Sequence, residues 1–146
     1  MNYIEVSGGT ARKRELAEAM VNFCIKKFMP RMRTLDIQVK IKDLKQAAKG
    51  YCLAVDKRTF ELEIEKNMTQ AEFMRTVAHE MVHVKQYARN ELHVEHDKCW
   101  KNDFYTNTNY WELPWEIEAH GREIGLFVMW CQTHGKDFTP GKWMER

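Results

Sequence analysis

The stretch TVAHEMVHVKQY, residues 76 to 87, sets two histidines four apart with a glutamate directly after the first. At about 100° per residue, His79 and His83 project from one helix face one turn apart, while Glu80 is displaced toward the edge of that face. The helix start is written just upstream, where Thr69 followed by Glu72 forms a capping box ahead of AEFMRTVAHEMVHVKQYARN, residues 71–90. Phe73, Val77, Met81, Val82 and Val84 make this helix apolar enough to be buried on more than one side. A buried imidazole pair with nothing to bind would be desolvated without compensation. The same pair can share one Zn²⁺ at roughly 2.0 to 2.1 Å, leaving Glu80 beside it as a base for water.

Outward from this helix, the chain of 146 residues is read as one domain, 1–146, long enough for a real core. With 23 Lys and Arg against 21 Asp and Glu, no global field recruits nucleic acid or anionic lipid. The first residues, MNYIEVSGGTARKREL, hold no apolar run long enough for a signal peptide, and no stretch is suited to span a bilayer. A cytoplasmic protein is therefore expected, with no membrane partner and no specific nucleic-acid binding. Cys24, Cys52, Cys99 and Cys131 form no C-x-x-C pair and fit buried thiols in a reducing compartment.

Thr10 is suited to cap a first helix with Leu16, Ala19, Met20 and Phe23 on one stripe, which Pro30 stops. LDIQVKIK, residues 35–42, alternates as a half-buried strand, with Leu35, Ile37, Val39 and Ile41 inward. GYCLAVDKRTFELEIEK, residues 50–66, predicts a hairpin turning near Asp56 to Arg58, with Phe60, Leu62 and Ile64 inward and Glu61, Glu63 and Glu65 outward. A small antiparallel sheet follows, its outward acids matched to lysines on neighbouring strands.

Two places offer a third ligand. YWELPWEIEAHGREIGLFVMW, residues 110–130, predicts a second helix with Pro114 in its first turn. There Glu116 and His120 share a face, with Glu116 toward the metal and His120 behind it, and Ile117, Gly121, Ile124 and Val128 form a separate packing stripe. Glu118 lies about 200° from Glu116 around the helix and is read as a solvated or salt-bridged residue. The other candidate is His96, in HDKCWK, residues 96–101. Gln86 and Arg89 stand where a metzincin needs Gly and His, which excludes that class.

HEMVH followed at a distance by EIEAH resembles the gluzincin arrangement, and VAHEMVHVKQYA with YWELPWEIEAHGRE resembles small metallopeptidases encoded by phages, over residues 60–128. The resemblance implies an α+β, zincin-like fold: N-terminal helix, small sheet, HExxH helix, aromatic-rich connection and a second helix carrying the third ligand. It implies a zinc metallopeptidase with His79, His83 and Glu116 as ligands, Glu80 as general base and a peptide or protein substrate, acting in the host cytoplasm if phage-encoded. His120 stands where many gluzincin relatives carry Asp or Asn. The rival resemblance is to SprT-like proteases, whose third histidine falls in an H-x-x-x-W segment like HDKCW; His96 would then be the ligand and DNA-bound proteins the substrate. Glu116 is preferred because it alone explains a second helix with a face-matched carboxylate.

Beside the endopeptidase reading stand a non-catalytic zincin-fold binding or regulatory module and hydrolysis of a non-peptide amide. An intact Glu80 argues against the module, since a structural zinc needs no base. His93, His96 and Cys99, at intervals of three, are a weaker pattern for a second zinc without an evident fourth ligand. Trp100, Phe104, Tyr105, Tyr110, Trp111 and Trp115 are expected mainly to pack the connection onto the domain, with Tyr105 or Tyr110 available to an oxyanion. Gly121 and Gly125 cost roughly 1 kcal/mol each against alanine, and their spacing predicts close contact with a neighbouring element.

Overall fold

A strand, β1 (Tyr3–Gly8), precedes the first helix in the computed structural model, which describes residues 1–134. Helix α1 (Ala11–Phe28) follows, with Thr10 Oγ1 accepting from the Lys13 amide at 3.2 Å, and it ends at Met29, just before Pro30. The turn between them needs glycine. Gly8 has φ +82°, and a Cβ there would stand 2.0 Å from the Ile41 carbonyl oxygen. Strands β2 (Asp36–Lys42), β3 (Gly50–Ala54) and β4 (Thr59–Glu65) complete a sheet of order β1-β2-β4-β3.

Only β3 runs antiparallel in that sheet. The expectation of an antiparallel sheet is thus corrected: β1 pairs parallel with β2 and β2 parallel with β4. Helix α1 is the crossover that brings β2 back in the direction of β1, and residues 43–49 with β3 do the same for β4. Strong alternation persists because helices cover one face of the sheet and leave the other to solvent, an arrangement more usual for antiparallel sheets. Ile37, Val39, Phe60, Leu62 and Ile64 are buried beneath the helices. On the open face Lys40 pairs with Glu61 at 2.7 Å and Lys42 with Glu63 at 2.8 Å, as charge matching predicts. Glu65 departs from the expected outward set: it is buried, and its carboxylate accepts from the amides of Leu44 and Asn67.

The hairpin turn lies where expected, with Asp56 Oδ1 accepting from the amides of Arg58 and Thr59 at 2.8 and 2.9 Å. Helix α2 (Gln70–Ala88) starts at Thr69, whose Oγ1 accepts from the Glu72 amide. It is buried almost all round, by the sheet, α1 and a third helix, α3 (Pro114–Thr133). Lys13 reaches from α1 to the carbonyls of Lys66 and Met68, tying α1 to the approach of α2.

Between α2 and α3 the aromatic-rich connection folds into a second sheet, β5 (Leu92–Val94), β6 (Lys98–Trp100) and β7 (Asp103–Phe104), then a 3₁₀ turn at Tyr110–Glu112. Trp115 is buried and Tyr105 packs edge-on against it, whereas Tyr110 and Trp111 are exposed. Helix α3 buries Trp115, Ala119, Leu126, Phe127, Trp130 and Cys131. The predicted packing stripe is corrected: Ile117 and Ile124 are exposed, and Cβ atoms on Gly121 and Gly125 would meet nothing within 4 Å. Among the described residues the architecture is mixed α+β, and no helix is long and apolar enough to cross a membrane. The four cysteines are free thiols, three of them buried.

Candidate metal centre

Because α2 is pinned by its apolar residues to the sheet and to α1, its one polar face looks toward α3 and the edge strand β3. His79 and His83 lie on that face, with side chains 12% and 9% exposed. Helix α3 crosses it so that Glu116, in its first turn, meets both imidazoles. His79 Nε2 is 3.2 Å from Glu116 Oε1, and His83 Nε2 is 3.3 Å from Glu116 Oε2. One ligand atom from each of the three residues falls within 4.8 Å of the others. Ligand atoms at 2.0–2.1 Å from a tetrahedral Zn²⁺ are about 3.3 Å apart, so the donor set and its spacing fit such an ion.

The outward nitrogens are also engaged, which fixes the rings. His83 Nδ1 donates to Gln86 Oε1 at 2.8 Å, and Gln86, fully buried, donates from Nε2 to the Trp115 carbonyl and to Glu118 Oε1, both at 3.0 Å. His79 Nδ1 donates to Glu123 Oε1 at 3.1 Å. Acceptors on the far nitrogens hold each Nε2 inward and raise its basicity. Glu118 is salt-bridged as expected, to Lys85 at 2.7 Å and Arg122 at 3.0 Å, and it steadies His83 through Gln86. His120, placed behind Glu116 by the sequence, sits with its ring 4.5 Å from that of His79 and its Nδ1 3.0 Å from Glu123 Oε1.

His79, His120 and Glu123 thus form a second group able to gather around an ion. One imidazole cannot give Nε2 to one ion and Nδ1 to another without losing its last proton. Glu123 therefore acts on His79 as a hydrogen-bond acceptor while Glu116 faces Nε2. Sequence reasoning missed both Glu123 and Gln86, although each lies on the face of its helix that carries the neighbouring histidine.

Charge follows the same geometry. Burial opposes a proton on His79, but the Glu116 and Glu123 carboxylates outweigh it and raise its pKa to about 9. Glu116 moves the opposite way: burial would raise its pKa, yet hydrogen bonds from His79 and His83 hold it well below the ordinary carboxylate range. Glu80 is buried, and that burial raises its pKa against the opposing pull of the two histidines. A Cβ on Gly50 would stand 3.1 Å from Glu80 Oε2, so the first residue of β3 is glycine where the edge strand passes closest to this carboxyl. No local sequence signal marks Gly50 for that role.

A cleft runs across the centre. Two recesses, of about 300 and 290 Å³, share Ala48, Gly50, His79, Glu80 and Tyr110 as their common wall. The Tyr110 hydroxyl donates to Glu116 Oε1 at 2.9 Å and lies 3.0 Å from His120 Nε2, while Trp111 covers the His120 ring at 4.9 Å. Although the residue is partly exposed, desolvation of its hydroxyl, with the adjacent Glu116 carboxylate, raises the Tyr110 pKa, so this phenol keeps its proton. Tyr105, the other tyrosine considered, packs on Trp115 instead.

His96 is exposed in the β5–β6 turn, against the Phe104 ring at 4.5 Å, and belongs to neither His/Glu group. His93, His96 and Cys99 do not gather into a metal-binding group among the described residues; His93 and Cys99 are cross-strand partners of β5 and β6. Comparison of the chain with protein families, curated proteins and solved structures finds no match.

Proposed function

We propose that the protein is a zinc-dependent endopeptidase in a zincin-like fold, with His79, His83 and Glu116 as metal ligands and Glu80 as general base. The observation that carries this reading is the convergence of two imidazole Nε2 atoms on one carboxylate beside a second, buried carboxyl that no ligand role requires. Two nitrogens and one oxygen are the donor set of catalytic rather than structural zinc, which leaves a position open for chemistry. When bound, zinc would supply Lewis acidity, polarising a peptide carbonyl and making water a nucleophile near neutral pH.

The chain's own residues do the rest. Glu80, its pKa raised by burial, takes the proton of the attacking water and returns it to the departing amine. Tyr110 at the cleft wall donates its phenolic proton to Glu116 and so steadies that carboxylate for the metal. Strand β3 ends the sheet on the cleft side, and its edge, unpaired among the described residues, can add an extended peptide by main-chain hydrogen bonds. Such binding holds the substrate by its backbone and suits an endopeptidase.

Zinc content and hydrolysis of an unfolded protein test this reading together. Wild type should carry one zinc and cleave; Glu116→Ala should fold and lose the metal. Zinc retained by folded Glu116→Ala would remove Glu116 from the ligand set. Undiminished hydrolysis by Glu80→Gln would overturn the mechanism.

A further inference from the structure

The two recesses beside the metal-binding residues each hold two carboxyl groups, two imidazoles and one lysine, and they differ in what that lysine meets. The one toward Glu123 carries that carboxylate, and its lysine, Lys49, is drawn toward Glu72 at 3.9 Å. The other, of about 290 Å³, is bounded by Glu80, His83 and Glu116 on one side and by Cys52, Leu92 and Lys98 on the other. Of its two carboxyl groups Glu116 faces both histidines, and a divalent ion held there would balance the negative charge of the recess. Lys98, on β6, forms no ion pair among the described residues. Its Nζ stands 5.8 Å from the centroid of the Trp115 ring, and Trp115 is buried immediately before Glu116. The ammonium is thereby located relative to a metal ligand. Its field crosses the recess: at Cys52, where burial and Glu80 push the thiol pKa up, Lys98 opposes them.

We propose that Lys98 makes this recess a carboxylate subsite, so that the preferred substrates are peptides with a negative charge next to the scissile bond. The charge is an acidic side chain or a free C-terminal carboxylate, which present the same group to the ammonium. A recess whose lysine has no ion-pair partner among the described residues, and whose two carboxyl groups would be balanced by a bound divalent ion, favours an anion over a neutral isostere of equal size. A lysine-bearing substrate would meet like charge there and be disfavoured. This rests on the peptidase reading for the identity of the ligand, and on the metal-loaded recess for its charge preference.

The experiment measures, by calorimetry on the zinc-loaded protein, the binding of aspartic acid α-hydroxamate and asparagine α-hydroxamate, which anchor on the metal and differ only in charge. Wild type and Lys98→Arg should bind the aspartyl probe about tenfold more tightly, Lys98→Ala should bind both alike, and Lys98→Glu should favour the asparaginyl probe. Lys98 is exposed on a short strand, so its replacement leaves the core untouched, and circular dichroism checks that the variants fold. Equal binding by wild type, or an acid preference that survives Lys98→Ala, would overturn the proposal. Peptides with internal Glu or Gln, each with a free or amidated C terminus, bound to zinc-loaded Glu80→Gln, then separate a side-chain from a terminal carboxylate. An acid preference without any cleavage of unfolded protein would uphold the subsite and sink the peptidase reading.

Discussion

Glu80 and Glu116 are the same residue type on facing helices, and their surroundings shift their proton affinities in opposite directions. Hydrogen bonds from two histidines keep Glu116 ionised and fit it to a cation, whereas burial raises the pKa of Glu80 and fits it to carry a proton. Replacing Glu80 by Gln should leave zinc in place and lower kcat by roughly 10² to 10⁴, read from metal content and turnover on one preparation. Glu123 acts through His79. Glu123→Ala should weaken zinc binding by about 10- to 100-fold in a competition titration with a chromophoric chelator, and folded Glu116→Ala should lose the metal outright. Equal affinities in Glu123→Ala and wild type would remove Glu123 from the support of the site.

Two glycines that look alike in sequence have opposite value in their elements. Gly50 begins the edge strand with Thr76 Cγ2, the Glu63 carbonyl and Glu80 Oε2 all 3.0 to 3.1 Å from where a Cβ would stand. Gly50→Ala should displace β3 or Glu80 and reduce turnover while zinc content stays at the wild-type level. Gly125 lies inside α3 with open space where its Cβ would be. There alanine meets no clash, and Gly125→Ala should raise stability by about 0.5 to 1 kcal/mol in thermal or denaturant unfolding. The i, i+4 spacing of Gly121 and Gly125 suggested close packing, but spacing cannot say which way a helix faces. The buried side of α3 is set instead by the large rings of Trp115, Phe127 and Trp130.

At the scale of the molecule, the same cluster makes the metal-free protein sensitive to pH on both sides. His79 titrates at about 9 when folded, above its unfolded value near 6.5, so its stabilising contribution is complete below pH 6.5 and fades as pH rises through 9. Glu116 is depressed, so its contribution is complete above about pH 4.5 and fades as pH falls. Metal-free protein should therefore draw most from this cluster between about pH 4.5 and 6.5, and denaturant titrations at pH 5.5 and 9 check the alkaline loss. The His79 share is on the order of 3 kcal/mol at most. Zinc binding to the folded state should reverse the alkaline loss and add about 4 kcal/mol when free zinc is a thousandfold above Kd, so chelation should lower Tm.

Much of this was legible along the chain. Periodicity placed α2, the inward residues of β2 and β4, and the hairpin at Asp56, because each depends on neighbours within a few residues. The i, i+4 spacing put His79 and His83 on one face, and Pro114, suited to a first turn, put Glu116 at the start of α3, which has no side-chain cap. Strand direction was not legible: alternation reports which face is buried and says nothing about which strand lies alongside. Glu65 turned inward because two loop amides needed an acceptor, a need that exists only once the loop is in place. The pairing of Glu123 with His79, of Gln86 with α3, and of Lys98 with the recess also arises from helices and strands distant in sequence. Local spacing determines which side chains share a face; only tertiary packing decides what each face meets, because that depends on long-range burial and on satisfying polar groups that packing brings together.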